Sequence, residues 1–172
     1  MYTVHGTRKL LDRLNTPVVP VNGPASTVLG DWYATVLLWR PQLVLFVNTS
    51  SFFPVFVPFA PAVTVLARFP DAMAAVFDRF GLDPRFVTAE VAEMGAVALA
   101  KTGDRRILGV MNELVFRAEA RVADGGHDRH DLVGLSIVVA DTLISPLYKD
   151  PARGDTPGDE VRRLAALAVN PS

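Results

Sequence analysis

The stretch WYATVLLWRPQLVLFVNTSSFFPVFVPF, residues 32–59, decides the fold. Trp32 to Trp39 is rich in β-branched and aromatic side chains, which suit a pleated, half-buried backbone. The Arg40-Pro41 turn leads directly into Leu43–Val47, and so short a link cannot make a parallel crossover. The two runs are therefore expected to pair antiparallel. Asn48–Ser51 is a second turn cluster, and a third extended run follows from Phe52 to Phe59. Pro54 and Pro58 cannot donate to a ladder, so this run belongs at a sheet edge or turns those positions outward. An antiparallel β-meander results.

The same region is free of charge from Pro41 to Ala67, a run of 27 residues. That length suits a bilayer. Four prolines, Pro41, Pro54, Pro58 and Pro61, and the polar block Asn48-Thr49-Ser50-Ser51 would strip a helix of hydrogen bonds in lipid. The run reads as buried strands, and no membrane partner is expected.

Outward from the meander, helical signals take over. Thr7 is a good N-cap for a first helix with Leu10, Leu11 and Leu14 on one face, and this helix is the first expected element. Residues 15–30, with three prolines and two glycines, read as loop. Met73, Val76, Phe77 and Phe80 fall at helical spacing between Pro70, at the helix start, and Gly81, a C-terminal stop; residues 62–69 add a preceding turn or two. Pro84 opens a short helix ending near Met94, and Ala96–Lys101 reads either as its continuation or as a fourth short strand, with the strand preferred. Asp104 then caps a helix to about Val122 with Ile107, Met111, Leu114, Val115 and Ala118 as its apolar stripe. A loop at 124–130 precedes an apolar helix over residues 131–144, ended before Pro146. The expected fold class is α+β, an antiparallel sheet of three to four strands packed against several helices. One domain is expected over residues 1–146, with 147–172 as a linker and a short amphipathic helix carrying Val161, Leu164, Ala165 and Ala168.

Composition narrows the function classes. Half of the 172 residues are apolar, and 17 basic side chains nearly cancel 18 acidic ones, so no global field would hold a nucleic-acid backbone or an anionic membrane. The absence of cysteine excludes disulfides, thiol nucleophiles and cysteine-ligated metals, and suits a cytoplasmic location. Arg8, Lys9, Asp12 and Arg13 stand where a signal peptide would need an apolar run.

Lys101-Thr102-Gly103-Asp104-Arg105-Arg106 places three cations at a helix start, where free N–H groups and the helix dipole favour an anion. Arg105 or Arg106 could grip a phosphate or carboxylate through two parallel bonds. The bland alternative is that Asp104 caps the helix and the cations are solvated. Asn112 lies two turns on, sharing a face with Arg105, either to orient a ligand or as a buried amide satisfying a loop. His127 and His130, beside Gly125-Gly126, read as a solvated loop rather than a metal site. His5 reads as a surface histidine and the Glu90, Glu93 pair as the wet side of a helix. Trp32 and Trp39, seven apart, point to opposite faces of a strand, which argues against a one-sided stacking platform for bases. The hydrolase, zincin and dinucleotide signatures are absent, and no cofactor is expected.

Four segments, H-G-T-R-K-L-L-D-R-L from His5, the run Leu29 to Asn48, E-M-x-x-x-x-x-A-K-T from Glu93 and D-R-R-I-L-G-V-M-N from Asp104, together resemble an uncharacterised bacterial domain family. Its members show H-x-T-K-K-L-L near the start and N-R-S-V-L-G-x-M-N in the last third. The resemblance spans residues 5–145 and marks Thr7, Lys9, Trp32, Lys101, Thr102, Arg105, Gly109 and Asn112. Arg8 stands where Lys is expected, and Arg106 where a small hydroxyl residue is expected, which weakens a catalytic hydroxyl there. The resemblance implies no reaction. Some members are joined to a domain named after a plasmid reading frame, which implies regulatory or mobile-element surroundings. The expectation is a non-catalytic binding or regulatory domain that meets an anionic ligand or nucleic acid through Lys101, Thr102, Arg105, Arg106 and Asn112. The alternative is a hydrolase- or nuclease-like enzyme using Arg105 and Asn112. Self-association is left open.

Overall fold

A computed structural model describes residues 1–21 and 23–171. Asn22, inside the expected 15–30 loop, and Ser172, at the end of the expected tail, lie outside the described residues. The strands are β1 (Tyr2–Gly6), β2 (Trp32–Leu37), β3 (Leu43–Asn48), β4 (Pro54–Pro58) and β5 (Val97–Lys101). The helices are α1 (Arg8–Leu14), α2 (Val65–Phe80), α3 (Pro84–Glu93), α4 (Arg105–Ala123), α5 (Leu132–Val139), α6 (Ser145–Tyr148) and α7 (Pro157–Val169).

The meander forms as expected: β2 pairs antiparallel with β3, and β3 with β4. The sheet as a whole is mixed, in the order β4-β3-β2-β1-β5, because the first five-residue strand enters between β2 and β5 and runs parallel to both. The expected antiparallel-only sheet, with a helix as first element, fails at this strand. Tyr2–Gly6 is short and flows straight into α1, and its partners lie about thirty and about ninety-five residues along the chain, so nothing local marks it as central.

Alternating positions feed two cores. Val4, Trp32, Ala34, Val36, Val44 and Phe46 face α1, α2, α3 and α7. Tyr33, Leu37, Leu43, Leu45, Val47 and Phe56 face α4, α5 and α6. With helices on both faces, β2 and β3 are buried at every position, which is why they read as continuous apolar runs. Trp32 lies in the first core and Trp39 against the second.

Phe69 anchors α2 to the sheet, stacked on Phe46 at 4.0 Å and edge-on to Trp32 at 4.8 Å. The preceding turn expected before Pro70 belongs to the same helix, which starts at Val65 and carries Pro70 inside it. An interior proline costs about 3 kcal/mol. Burying Val65 and Phe69 completely returns roughly 1.5–3 kcal/mol each, which favours carrying the helix through the proline. Gly81, at φ 88, closes the helix.

Both sheet edges are covered. On β4, Phe56 N–H donates outward to Ser136 Oγ of α5 at 3.0 Å. Pro54 and Pro58 share that outward register, so their missing N–H groups cost no ladder bond. On β5, Val19 N–H of the proline-rich loop donates to Leu99 O at 2.9 Å. The single apolar helix expected over 131–144 is cut short: α5 ends at Val139, and the four-residue α6 starts at Ser145 with Pro146 in its first turn. Among the described residues no helix is long and apolar enough to cross a membrane.

The tail docks. Val161 and Ala165 of α7 enter the first core, and Glu160, 1% exposed, gathers Arg153 Nε at 3.0 Å, Arg163 Nη2 at 2.8 Å and Gly154 N–H at 2.8 Å. Arg153 also donates to Ser50 O and lies 5.5 Å over the Phe52 ring, tying the tail to the meander. Burial acts to raise the Glu160 carboxyl, but the bonds from Arg163, Gly154 and Arg153 outweigh it and hold it at about 2. A carboxyl held below its unfolded value stabilises the fold above pH 4.5, and that stability is lost as pH falls towards about 2. Glu160→Gln should lower unfolding free energy at pH 7 by about 3–5 kcal/mol. In urea titrations at successive pH values, the gap between wild type and variant should narrow between pH 4.5 and pH 2.

Candidate functional site

Adjacent parallel strands β1 and β5 send their following helices to opposite faces of the sheet: α1 packs on the first core and α4 on the second. Such a divergence opens a crevice beyond the carboxyl ends of the strands, where ligands of open α/β sheets bind. A cavity of about 930 Å³ lies there, lined by Gly6, Arg8, Asp12, Asn15, Thr16, Lys101 and Thr102 with Leu11, Pro17 and Val18.

The chain builds this crevice from β1 outward. Gly6 ends the strand, and a Cβ at this position would stand 2.7 Å from Leu11 Cδ2, so glycine lets α1 fold back closely. Thr7 N–H donates to Ala34 O at 2.9 Å and Thr7 Oγ1 to Thr35 Oγ1 at 3.0 Å, fixing the start of α1 against β2. Asn15 adopts the left-handed conformation, φ 48, and turns the chain into the Thr16–Val18 wall. The Val19 bond to β5 closes that wall.

Behind the crevice lies a polar clasp. Asp31 Oδ1 accepts from Thr3 N–H at 2.8 Å, and Asp31 Oδ2 lies 3.5 Å from His5 Nε2. His5 Nδ1 lies 3.2 Å from Lys101 O, and the ring packs on Tyr33 at 4.9 Å. Tyr33 Oη in turn accepts from Gly103 N–H at 3.3 Å and Asp104 N–H at 2.9 Å. Both His5 nitrogens thus face acceptors within the fold, which makes this histidine a tie between β1, Asp31 and β5. The surface histidine expected at position 5 is instead largely enclosed, with 17% of its side chain exposed. Its signal was the Thr3, His5 alternation opposite Tyr2 and Val4.

The expected site divides. Lys101 and Thr102 line the crevice; Arg105, Arg106 and Asn112 are exposed and outside its lining. Asp104 explains the division at the helix start. Its carboxylate accepts from Arg106 N–H at 2.8 Å and Ile107 N–H at 3.4 Å, the place an incoming anion would take. Arg106 lies 5.8 Å over Phe52, towards the second core. Asn112, expected to serve a ligand or a buried loop, is on the outer face of α4. Arg8, Asp12, Asn15 and Thr16 were missed because they join Lys101 only through the β1–β5 pairing.

Two further expectations change. Glu90 is buried, 2% exposed, and accepts from Val28 N–H at 2.8 Å and Leu29 N–H at 2.9 Å; burial pushes its carboxyl up against the pull of those donors. His127 is half-buried with Nε2 3.0 Å from Asp131 O, while His130 is exposed. Among the described residues no three His, Asp or Glu side chains gather as a metal site requires.

The fold and crevice define an α+β domain with a ligand-sized opening at the carboxyl ends of parallel strands. A family model described as a domain of unknown function (DUF6933) matches residues 3–155, and the chain belongs to that family. The matched span takes in every residue that lines the crevice. Comparison with curated proteins and with solved structures finds no match.

Tyr33→Phe tests the clasp. Loss of the hydroxyl leaves Gly103 and Asp104 N–H without an acceptor, so unfolding free energy should drop by about 1–3 kcal/mol. Amide hydrogen exchange at those two residues should rise beyond what global destabilisation explains.

Proposed function

We propose that this chain is a non-catalytic binding domain that takes a small phosphate- or carboxylate-bearing ligand in the crevice between β1 and β5. The observation that carries this reading is the meeting of Lys101 with Arg8 across an opening of about 930 Å³ that is otherwise edged by Asn15, Thr16 and Thr102. That volume is in the range of small-molecule sites, roughly 300–1,000 Å³. Both cations are available. Lys101 is exposed, and Arg8 meets Asp12 only at 3.9 Å, with side chains 95% and 70% exposed, a loose pair that a ligand anion can replace.

Two cations suit one anionic group better than a polymer, since tight nucleic-acid binding draws on about six to ten phosphate contacts. The chain's net charge of −1 points the same way. Arg105 and Asn112, on which a hydrolase or nuclease reading depends, lie outside the crevice, and no observation favours that reading. A cysteine-free chain of this kind suits the reducing cytoplasm.

Titration with inorganic phosphate, nucleoside monophosphates and small dicarboxylates, followed by amide chemical shifts, tests the proposal. Shifts should centre on residues 6–18 and 101–102 and weaken with salt. Lys101→Ala and Arg8→Ala should each lower affinity roughly ten- to hundredfold, the scale of one charge-assisted hydrogen bond, with Arg105→Ala unchanged. Loss of binding in Arg105→Ala with Lys101→Ala unaffected would overturn the assignment.

A further inference from the structure

We propose that the outer face of α4 is a self-association surface, on which two copies of the chain pair antiparallel about a two-fold axis at Asn112. The inner face of α4 is committed: Ile107, Val110, Met111, Leu114 and Ala118 are buried. At about 100° per residue, Phe116 points directly away from that stripe, with Arg105, Gly109, Asn112 and Glu119 beside it. All five are exposed, Phe116 at 65%.

Three features of this face have no use within the chain. A Cβ on Gly109 would meet nothing within 4 Å, so neither packing nor backbone conformation asks for glycine here. In a helix interior glycine costs the monomer stability relative to alanine. Phe116 exposes a large ring beside that gap. Arg105 and Glu119 have no ion-pair partner within the chain among the described residues, whereas Glu113 and Arg117 on the neighbouring strip pair with each other at 3.9 Å.

An antiparallel two-fold at Asn112 uses all three. Residues equally far before and after Asn112 then face each other, so Arg105 of one copy meets Glu119 of the other, twice. Phe116, four residues after Asn112, falls within about 1.5 Å along the axis of Gly109 of the second copy, three residues before it, so its ring reaches that gap. The two Asn112 amides meet at the axis, where each can donate to and accept from the other. A parallel pairing would instead set Arg105 against Arg105 and Glu119 against Glu119, which is repulsive. A single pair of 19-residue helices falls short of the roughly 1,200 Å² of a standard stable interface, so the dimer is weak and concentration-dependent. This surface is separate from the crevice and stands whether or not a ligand binds there.

Sedimentation velocity of the full chain from about 10 µM to about 1 mM tests the inference. Wild type should pass from monomer to dimer mass across that range. Phe116→Glu should stay monomeric, a loss of about a hundredfold or more, with unchanged far-ultraviolet circular dichroism to show that α4 still folds. Arg105→Glu and Glu119→Arg should each weaken the dimer by on the order of tenfold, and the double variant R105E/E119R should restore it. Three results would each overturn the proposal: a wild type that is monomeric throughout, a dimer indifferent to Phe116→Glu, or a double variant no better than the single ones.

Discussion

The parallel pairing of β1 with both β2 and β5 is the constraint on which the rest of the molecule depends. Five residues, Tyr2–Gly6, hold the meander to a strand that arrives after two helices. Because β1 ends at Gly6 level with Lys101, the two chain segments that leave the sheet there diverge to opposite faces, and the crevice is the space between them. Remove that pairing and Lys101 has no fixed relation to Arg8, Asn15 or Thr16. The fold and the candidate site are therefore one consequence of a single register.

Polar groups hold that register in place. Asp31 reaches Thr3 and His5, Tyr33 reaches the Gly103-Asp104 turn, Glu90 holds Val28 and Leu29, and Asn48 Nδ2 donates to Leu29 O at 2.9 Å. Asp31 serves strand β1, while Tyr33, Glu90 and Asn48 serve backbone groups of segments without regular structure, where an unmade bond would cost about 1–3 kcal/mol. The loop between α1 and β2 is long, yet it is fastened at Val19, Ser26, Val28 and Leu29. Such fastening lets a proline-rich connection both shield the β5 edge and wall the crevice.

How much of this was legible follows from sequence separation. The β2–β3–β4 meander was readable because its turns join neighbours along the chain, and α4 because Asp104 and the Ile107, Met111, Leu114, Ala118 stripe are local signals. The strand β1 was not, since Tyr2–Gly6 has neither the length nor the flanking turns of a central strand and owes its burial to partners far away. The same distinction divides the site. Lys101 and Thr102 were visible as a cationic helix approach, while Arg8, Asp12, Asn15 and Thr16 acquire meaning only once β1 stands beside β5. Glu90 misled for a related reason: helical spacing set it beside Glu93 on the wet side, but the loop it caps folds over it.

Helix α4 shows how far a structure can depart from what its own stability asks. Its inner stripe is buried and its cap filled, so the helix needs nothing from its outer face. A sequence selected only for helix stability would place alanine rather than glycine at position 109, a difference of about 1 kcal/mol, and a charged residue rather than phenylalanine at 116. The pairing of a gap with a protruding ring, between opposite charges set symmetrically about an amide, is the pattern of a surface that meets its own copy. The turn that starts this helix is the one Tyr33 fixes, with Lys101 at its other end. Crevice and helix face thus start from one fixed turn yet present separate surfaces, since no residue of the outer face of α4 lines the crevice.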